Sequence, residues 1–92
     1  MRRYAARVDS NQAEIVSALR DVPGCVVKDL SRMGDGWPDL AASYKGVNFY
    51  FEVKRHGKKL TDAQRKWHAE WTGSVHIIHN VEEALKALGV TR

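Results

Sequence analysis

The clearest pattern in the sequence is a strict alternation of apolar and polar residues from Val47 to Lys54, which predicts a β-strand. Its apolar face, which begins with Val47, is predicted to join the core, and its polar face carries Glu52 and Lys54. Lys45-Gly46, directly before this strand, indicates a tight turn. The segment from Pro38 to Ser43 is therefore predicted to be the other strand of a β-hairpin.

The remaining periodic segments predict three helices and two further short strands. Apolar residues at helical spacing predict helices over 11–20, 61–72 and 81–88, and short apolar runs predict strands over 25–28 and 74–79. Capping residues mark the helix ends: Asp9 or Ser10, the capping box of Thr61 and Gln64, Asn80, and Gly89. The order α-β-β-β-α-β-α predicts an α/β fold with a single mixed four-stranded sheet flanked by helices.

The turn also decides which residues face each other across the hairpin. If Lys45 and Gly46 are the two turn residues, Tyr44 faces Val47 and Asp39 faces Glu52. A four-residue loop gives the same register, whereas a three-residue loop shifts it. Two carboxylates opposed across a strand pair repel each other. Such a pair is tolerated when a cation lies between them or when one carboxyl group is protonated. If a cation is present, oxygen ligands of this kind suit Mg²⁺ or Mn²⁺.

Lys54 adds a positive charge beside the predicted acidic pair, where a phosphate group would bind. It could stabilise the charge of a transition state, or orient or deprotonate the attacking water. The histidines are not predicted to form a zinc site, because His76 and His79 face opposite sides of their strand. His56 and His68 are predicted to lie on the surface. The acidic pair and the lysine together predict a site for phosphodiester hydrolysis.

Composition and charge narrow the class of protein. The 92 residues predict one domain, 1–92, with a thin core and a basic N-terminal arm at 1–8. The net charge of +4, with basic residues concentrated over 54–66, favours a nucleic acid partner. The basic N-terminus has no hydrophobic segment behind it, no apolar run is long enough to span a membrane, and Cys25 is the single cysteine. A cytoplasmic protein is therefore expected.

Three motifs resemble those of the PD-(D/E)XK nuclease superfamily, in the order and spacing of that family. They are Gly36-Trp37-Pro38-Asp39-Leu40, then Phe51-Glu52-Val53-Lys54, then Leu60-Thr61 followed by Gln64. Within the superfamily they are similar to the VRR-NUC domain, which occurs alone in phages and bacteria and at the C-terminus of the Fanconi-anaemia-associated nuclease. The similarity covers roughly Glu14 to His79, which is most of the chain.

The resemblance implies a PD-(D/E)XK restriction-endonuclease-like core and dependence on Mg²⁺ or Mn²⁺. It makes Asp39 and Glu52 metal ligands, Lys54 the catalytic lysine and Gln64 an active-site glutamine. Further metal ligands implied by the family are Glu14, on the first helix, and the backbone carbonyl of Val53. Glu14 could equally be a solvated surface residue, and Gln64 already has a complete structural role in its capping box.

The resemblance also implies what the protein acts on. Structure-selective cleavage of branched or junction DNA is expected, in a bacterial or phage-infected cell. Stand-alone members are typically homodimers that resolve Holliday junctions. The residues expected to contact DNA are Arg55, Lys58, Lys59 and Arg65. The family often has Gly-Pro after its lysine, whereas Arg55-His56-Gly57 stands there in this chain, so the DNA contacts of the loop are expected to differ.

Two other functions stay open on the sequence alone. A restriction-type or nicking endonuclease could use the same scaffold, although such enzymes usually carry extra elements that read bases in the major groove. A catalytically inactive nucleic-acid-binding module is the second, and loss of catalysis should erode the charged triad of Asp39, Glu52 and Lys54. All three members are present.

Overall fold

The computed structural model describes residues 10–91; the predicted arm at 1–8 and the Asp9 cap lie outside this range. Helices and strands follow each other in the predicted order, with bounds that differ from the predicted ones by short margins. The elements are α1 (Ser10–Arg20), β1 (Val26–Asp29), β2 (Leu40–Tyr44), β3 (Val47–Val53), α2 (Asp62–Glu70), β4 (His76–Ile78) and α3 (Val81–Leu88). Within the described range, no helix is long and apolar enough to cross a membrane.

The four strands form one mixed sheet in the order β1-β2-β3-β4. The first three strands are antiparallel, whereas β4 runs parallel to β3 after the crossover through α2. Tyr44 pairs with Val47 and Leu40 pairs with Phe51, so the predicted hairpin register is confirmed. Lys45 and Gly46 both have positive φ, of 53° and 79°, which gives the two-residue turn the twist that its strands require.

The hydrophobic core lies between one face of the sheet and the helices α1 and α3. Leu40 and Phe51 of the hairpin are fully buried there and cluster with Ile15 and Leu19 of α1. Helix α3 begins after the Asn80 cap, ends at Gly89 with φ 85°, and contributes its apolar stripe as predicted: Val81, Ala84, Leu85 and Leu88. Val47 is an exception to the predicted core face. It is 51% exposed because it lies at the tip of the hairpin, where the burial of β3 is lowest.

Helix α2 lies against the opposite face of the sheet, near the end of β3. Trp67 is its buried residue, and the Tyr50 ring of β3 lies 6.4 Å from that of Trp67 and 5.3 Å from that of Trp71. Trp37, from the loop before β2, completes this aromatic cluster at 5.3 Å from Trp67. Aromatic packing therefore fixes the position of α2 over the polar face of β3.

The loop before β2 touches the first turn of α2 at Gly36. Its φ is 77°, and a Cβ atom at this position would lie 2.2 Å from the backbone oxygen of Ala63. Glycine satisfies both the positive φ and the close approach, whereas a residue with a side chain would satisfy neither. This contact brings Pro38, which is fully buried, and Asp39 next to α2 and the end of β3.

Candidate active site

Asp39 lies directly before β2 and is held at both its backbone and its side chain. Its Oδ2 accepts a hydrogen bond from the backbone N–H of Val53 at 2.8 Å. Its carbonyl oxygen accepts one from the N–H of Leu30 at 2.7 Å. Continuing the β2–β3 register by one residue places Asp39 opposite Glu52, as the sequence predicts.

Glu52 is a buried carboxyl group, with only 1% of its surface exposed. Burial, a hydrogen bond with the carboxyl of Asp39 and the negative charge of that residue together raise the pKa of Glu52 to about 8, against the opposing effect of Lys54. Without a cation, the acidic pair therefore keeps a proton near neutral pH. This is one of the two ways in which the opposed carboxylates were expected to be tolerated.

Gln64 performs its capping role and faces the acidic pair at the same time. Its Oε1 accepts a hydrogen bond from the Thr61 N–H at 2.9 Å, and its Nε2 donates to Glu52 Oε2 at 3.1 Å. Because the Thr61 N–H requires an acceptor, the amide is oriented with its NH₂ group toward Glu52. The two roles that the sequence left as alternatives are thus filled by one side chain.

His68 lies beside Glu52, and the prediction that it is a surface residue is wrong. Its side chain is 13% exposed, and its Nε2 lies 3.6 Å from Glu52 Oε1. Neither atom has a hydrogen-bond partner in the described part of the chain. The sequence feature that could have indicated this position is the spacing of Gln64 and His68. They are one helical turn apart and so share the face of α2 that covers Glu52.

Lys54 follows β3 and is anchored through its backbone, whose N–H donates to the carbonyl of Ile78 at 2.9 Å. Its ammonium group opposes the rise in the pKa of Glu52. The pKa of His68 is lowered, first by burial and then by repulsion from Lys54. The positive charge of Lys54 therefore acts both on Glu52, a member of the acidic pair, and on His68 beside it.

The acidic pair fits a hard divalent cation. Glu52 Oε2 is bonded to Gln64, whereas Glu52 Oε1 is a buried oxygen without a partner among residues 10–91. A buried acceptor of this kind is costly, and a cation between Asp39 and Glu52 would both satisfy it and remove their repulsion. Carboxylate oxygens are the ligands that Mg²⁺ and Mn²⁺ prefer.

The two further ligands implied by the family stay predictions. Helix α1 begins beside the carboxyl end of β4, since the Asn11 side chain donates to the carbonyl of His79. Glu14 is exposed on that helix, and none of the interactions described for residues 10–91 joins it to Asp39 or Glu52. The side chain of Val53 is buried in the core, and its backbone N–H donates to Asp39. Its backbone carbonyl is therefore the group of Val53 that stays predicted as a metal ligand.

The basic residues predicted to contact DNA are exposed. Arg55, Lys58 and Lys59 lie in the loop between Lys54 and α2. Arg65 lies on α2, where its guanidinium group is paired with Asp62 and also donates to the carbonyl of Leu60 at 3.1 Å. The charge of Arg65 is therefore partly neutralised by Asp62, which lowers the contribution expected from Arg65 to phosphate contacts.

Comparisons with known proteins point to one class of domain. No family model matches the sequence. No curated protein matches it either. Among solved structures, the chain is similar to one described as a VRR_NUC domain, with 27% sequence identity and a TM-score of 0.63. The match covers 91% of this chain and 92% of that chain.

The mixed four-stranded sheet with its flanking helices is a PD-(D/E)XK-like fold, and the predicted fold class is confirmed. Within this class, the fold is similar to that of a VRR-NUC domain over 91% of the chain. The resemblance that the three motifs indicate is thereby confirmed by the structure as well.

Proposed function

We propose that this protein is a divalent-metal-dependent endonuclease that hydrolyses phosphodiester bonds in DNA. The observation that carries the proposal is the Glu52 carboxyl group, which is buried, opposed to Asp39 and left with an unpartnered oxygen among the described residues. A buried pair of opposed carboxyl groups beside a lysine is unfavourable for folding, which indicates a functional and not a structural role. The similarity to a VRR-NUC domain supports the same conclusion.

Each residue of the site has a distinct part in this proposal. Asp39 and Glu52 would hold a Mg²⁺ or Mn²⁺ ion, which acts as a Lewis acid toward the phosphate when bound. Gln64 fixes the Glu52 carboxylate through its amide, as its 3.1 Å hydrogen bond indicates. Lys54 would donate to a non-bridging phosphate oxygen and stabilise the negative charge that develops there during hydrolysis.

The substrate is proposed to be branched DNA, with a four-way junction as the leading candidate. The exposed basic loop after Lys54 would contact the phosphate backbone through Arg55, Lys58 and Lys59, with a smaller contribution from Arg65. The described chain of three short helices and four strands includes no additional element to read bases in the major groove. Selectivity for DNA structure is therefore favoured over selectivity for sequence.

The experiment is a cleavage assay on a four-way junction, a flap, a single strand and a linear duplex, each with Mg²⁺, with Mn²⁺ and with chelator. We expect cleavage that requires a metal and is fastest on branched DNA. Asp39→Asn should abolish it, because a metal ligand is lost. Lys54→Ala should reduce turnover by about 10²–10³-fold while leaving DNA binding largely intact, since one transition-state donor is lost.

The matched controls are Asp21→Asn and Lys28→Ala, which make the same charge changes at exposed positions after α1 and on β1. Both should cleave like the unsubstituted protein, and loss of cleavage in Asp39→Asn prepared in the same way excludes a contaminating nuclease as the source of activity. Binding without cleavage on all four substrates would contradict the proposal and favour a nucleic-acid-binding module. Equal cleavage of linear and branched DNA would contradict the structure-selective form alone.

A further inference from the structure

A second group of metal-binding side chains lies outside the acidic pair. His56 belongs to the loop after β3, His79 follows β4, and Glu83 lies on α3. One ligand atom from each of the three lies within 4.8 Å of the other two. The parallel pairing of β3 with β4 produces this arrangement, because it ends both strands at the same edge of the sheet. The alternation along β4 relates His79 only to His76, so the sequence pattern does not indicate the neighbours that the crossover supplies.

Glu83 prepares His79 to bind a metal. Glu83 Oε1 accepts a hydrogen bond from the backbone N–H of His79 at 2.7 Å and lies 2.9 Å from His79 Nδ1. The hydrogen bond to the His79 backbone holds the Glu83 carboxylate beside the ring, so Glu83 Oε1 and His79 Nδ1 face each other across the proton between them. A metal ion would take the place of the proton between His79 Nδ1 and Glu83 Oε1, so that both atoms become ligands and the proton is released.

We propose that His56, His79 and Glu83 form a second metal site, which takes Zn²⁺ or a similar borderline transition metal. Two imidazoles and one carboxylate are the donor set that such ions prefer, in contrast to the oxygen donors of Asp39 and Glu52. Three protein ligands leave a fourth position for water or an oxygen of a bound phosphate. The two sites thus differ in the chemistry of the cation that each selects.

Metal binding at this site requires the His56 side chain to move. The rings of His56 and His79 are stacked, with centroids 4.2 Å apart and planes 7° from parallel, so their lone pairs do not converge on one point. Ligand atoms around a tetrahedral Zn²⁺ lie about 3.4 Å apart, as bond lengths of about 2.1 Å require. His56 is exposed in a loop and can turn to meet this geometry, whereas His79 Nδ1 and Glu83 Oε1 already lie 2.9 Å apart.

A metal at this site would join the loop after Lys54 to α3. His56 is close in sequence to Lys54 and lies among the basic residues Arg55, Lys58 and Lys59. Coordination of His56 would therefore restrict this loop and hold its charges in one place before DNA arrives. Metal binding and restriction of the loop do not require nuclease activity, and both can be measured without DNA.

The experiment measures Zn²⁺ binding to the metal-free full chain by competition with a colorimetric chelator, and the visible spectrum of the Co²⁺ form. We expect tight binding and an intense tetrahedral Co²⁺ spectrum. His56→Gln, an exposed substitution that should not disturb folding, and His79→Gln should each weaken Zn²⁺ binding at least about tenfold and reduce the spectrum. His76→Gln, which changes a histidine of β4 outside the cluster, is the matched control and should bind normally.

Two further measurements separate this site from the acidic pair. Asp39→Asn should leave Zn²⁺ affinity unchanged. Zn²⁺ should slow trypsin cleavage after Arg55, Lys58 and Lys59 in the unsubstituted protein but not in His56→Gln. The proposal is overturned if Zn²⁺ does not bind, if binding survives in both His56→Gln and His79→Gln, or if it is lost in Asp39→Asn. Circular dichroism of each variant shows whether its fold is intact.

Discussion

Gln64 couples the beginning of a helix to the proposed catalytic carboxylate. The carbonyl end of its amide caps α2 through Thr61, and the NH₂ end holds Glu52. A glutamate at this position would cap equally well, since capping boxes use either residue. It could not donate to Glu52, however. The side chain at position 64 therefore has to be an amide for the site, although the helix alone does not require one.

This difference can be tested with a pair of variants. Gln64→Glu keeps the acceptor for Thr61 and places a carboxylate against Glu52, whereas Gln64→Met removes both hydrogen bonds without adding charge. In metal-free protein near pH 8, we expect both variants to lower the free energy of unfolding by about 1–3 kcal/mol, and Gln64→Glu to lower it more. Urea denaturation measures this order. Equal stability of Gln64→Glu and the unsubstituted protein would show that the bond to Glu52 contributes nothing.

The raised pKa of Glu52 predicts how stability depends on pH in the absence of metal. The ordinary pKa of 4.5 applies to the unfolded chain, and the value of about 8 applies to the folded protein. At a pH between these two pKa values, the folded protein binds more protons than the unfolded chain. The free energy of unfolding should therefore fall as the pH rises, and level off above the pKa of the folded protein. The lowered pKa of His68 makes the free energy of unfolding rise with pH, but only near and below the ordinary histidine pKa of 6.5.

Denaturation between about pH 7 and pH 8 with chelator present therefore isolates the effect of Glu52. Glu52→Gln should flatten the slope, and the control Glu70→Gln, at an exposed position of α2, should retain it. Saturating Mg²⁺ or Mn²⁺ should remove the fall at high pH, because metal binding requires the deprotonated carboxylate. A flat profile in the unsubstituted protein would argue against a protonated Glu52.

At the scale of elements, the position of α2 depends on its contact with Gly36. Gly36→Ala should destabilise the protein beyond the about 1–2 kcal/mol of a left-handed alanine, because its Cβ would meet the Ala63 backbone oxygen at 2.2 Å. Gly34→Ala is a matched control, since Gly34 has a similar φ of 69° and nothing within 4 Å of the added atom. We expect chemical denaturation to show the larger loss for Gly36→Ala, together with weaker metal binding as Gln64 moves. Equal losses of stability in the two variants would mean that the loop before β2 can move away from the Ala63 backbone at little cost.

The hairpin and α3 could be predicted closely because their signals are local. Alternation from Val47, with the turn at Lys45-Gly46, was enough to place Asp39 opposite Glu52. The face of α2 that covers Glu52 could not be derived in the same way, because it depends on how the crossover returns to β4. His68 beside Glu52 and His56 beside His79 are both consequences of that long-range packing. The ends of strands were also less predictable, as the exposure of Val47 illustrates.

At the scale of the whole molecule, we expect a homodimer. The described chain exposes several large apolar side chains that a small domain leaves uncovered: Val26, Met33, Val47 and Ile77. A two-fold axis would bury such residues and present two sites with the symmetry of a four-way junction. Light scattering at micromolar concentration, with and without junction DNA, measures this. A monomer under both conditions would contradict junction resolution by paired cuts and favour nicking of single strands.

The exposed turn at Lys45-Gly46 divides the proposed site between two segments of the chain. Asp39 precedes the turn, and Glu52, Lys54 and Gln64 follow it. A chain opened at this turn would give two fragments, neither of which contains an acidic pair. Catalysis would then return only when the β2–β3 ladder reassembles between the fragments. The hairpin tip is thus a natural place to split the protein into two inactive halves whose reunion can be detected by the cutting of DNA.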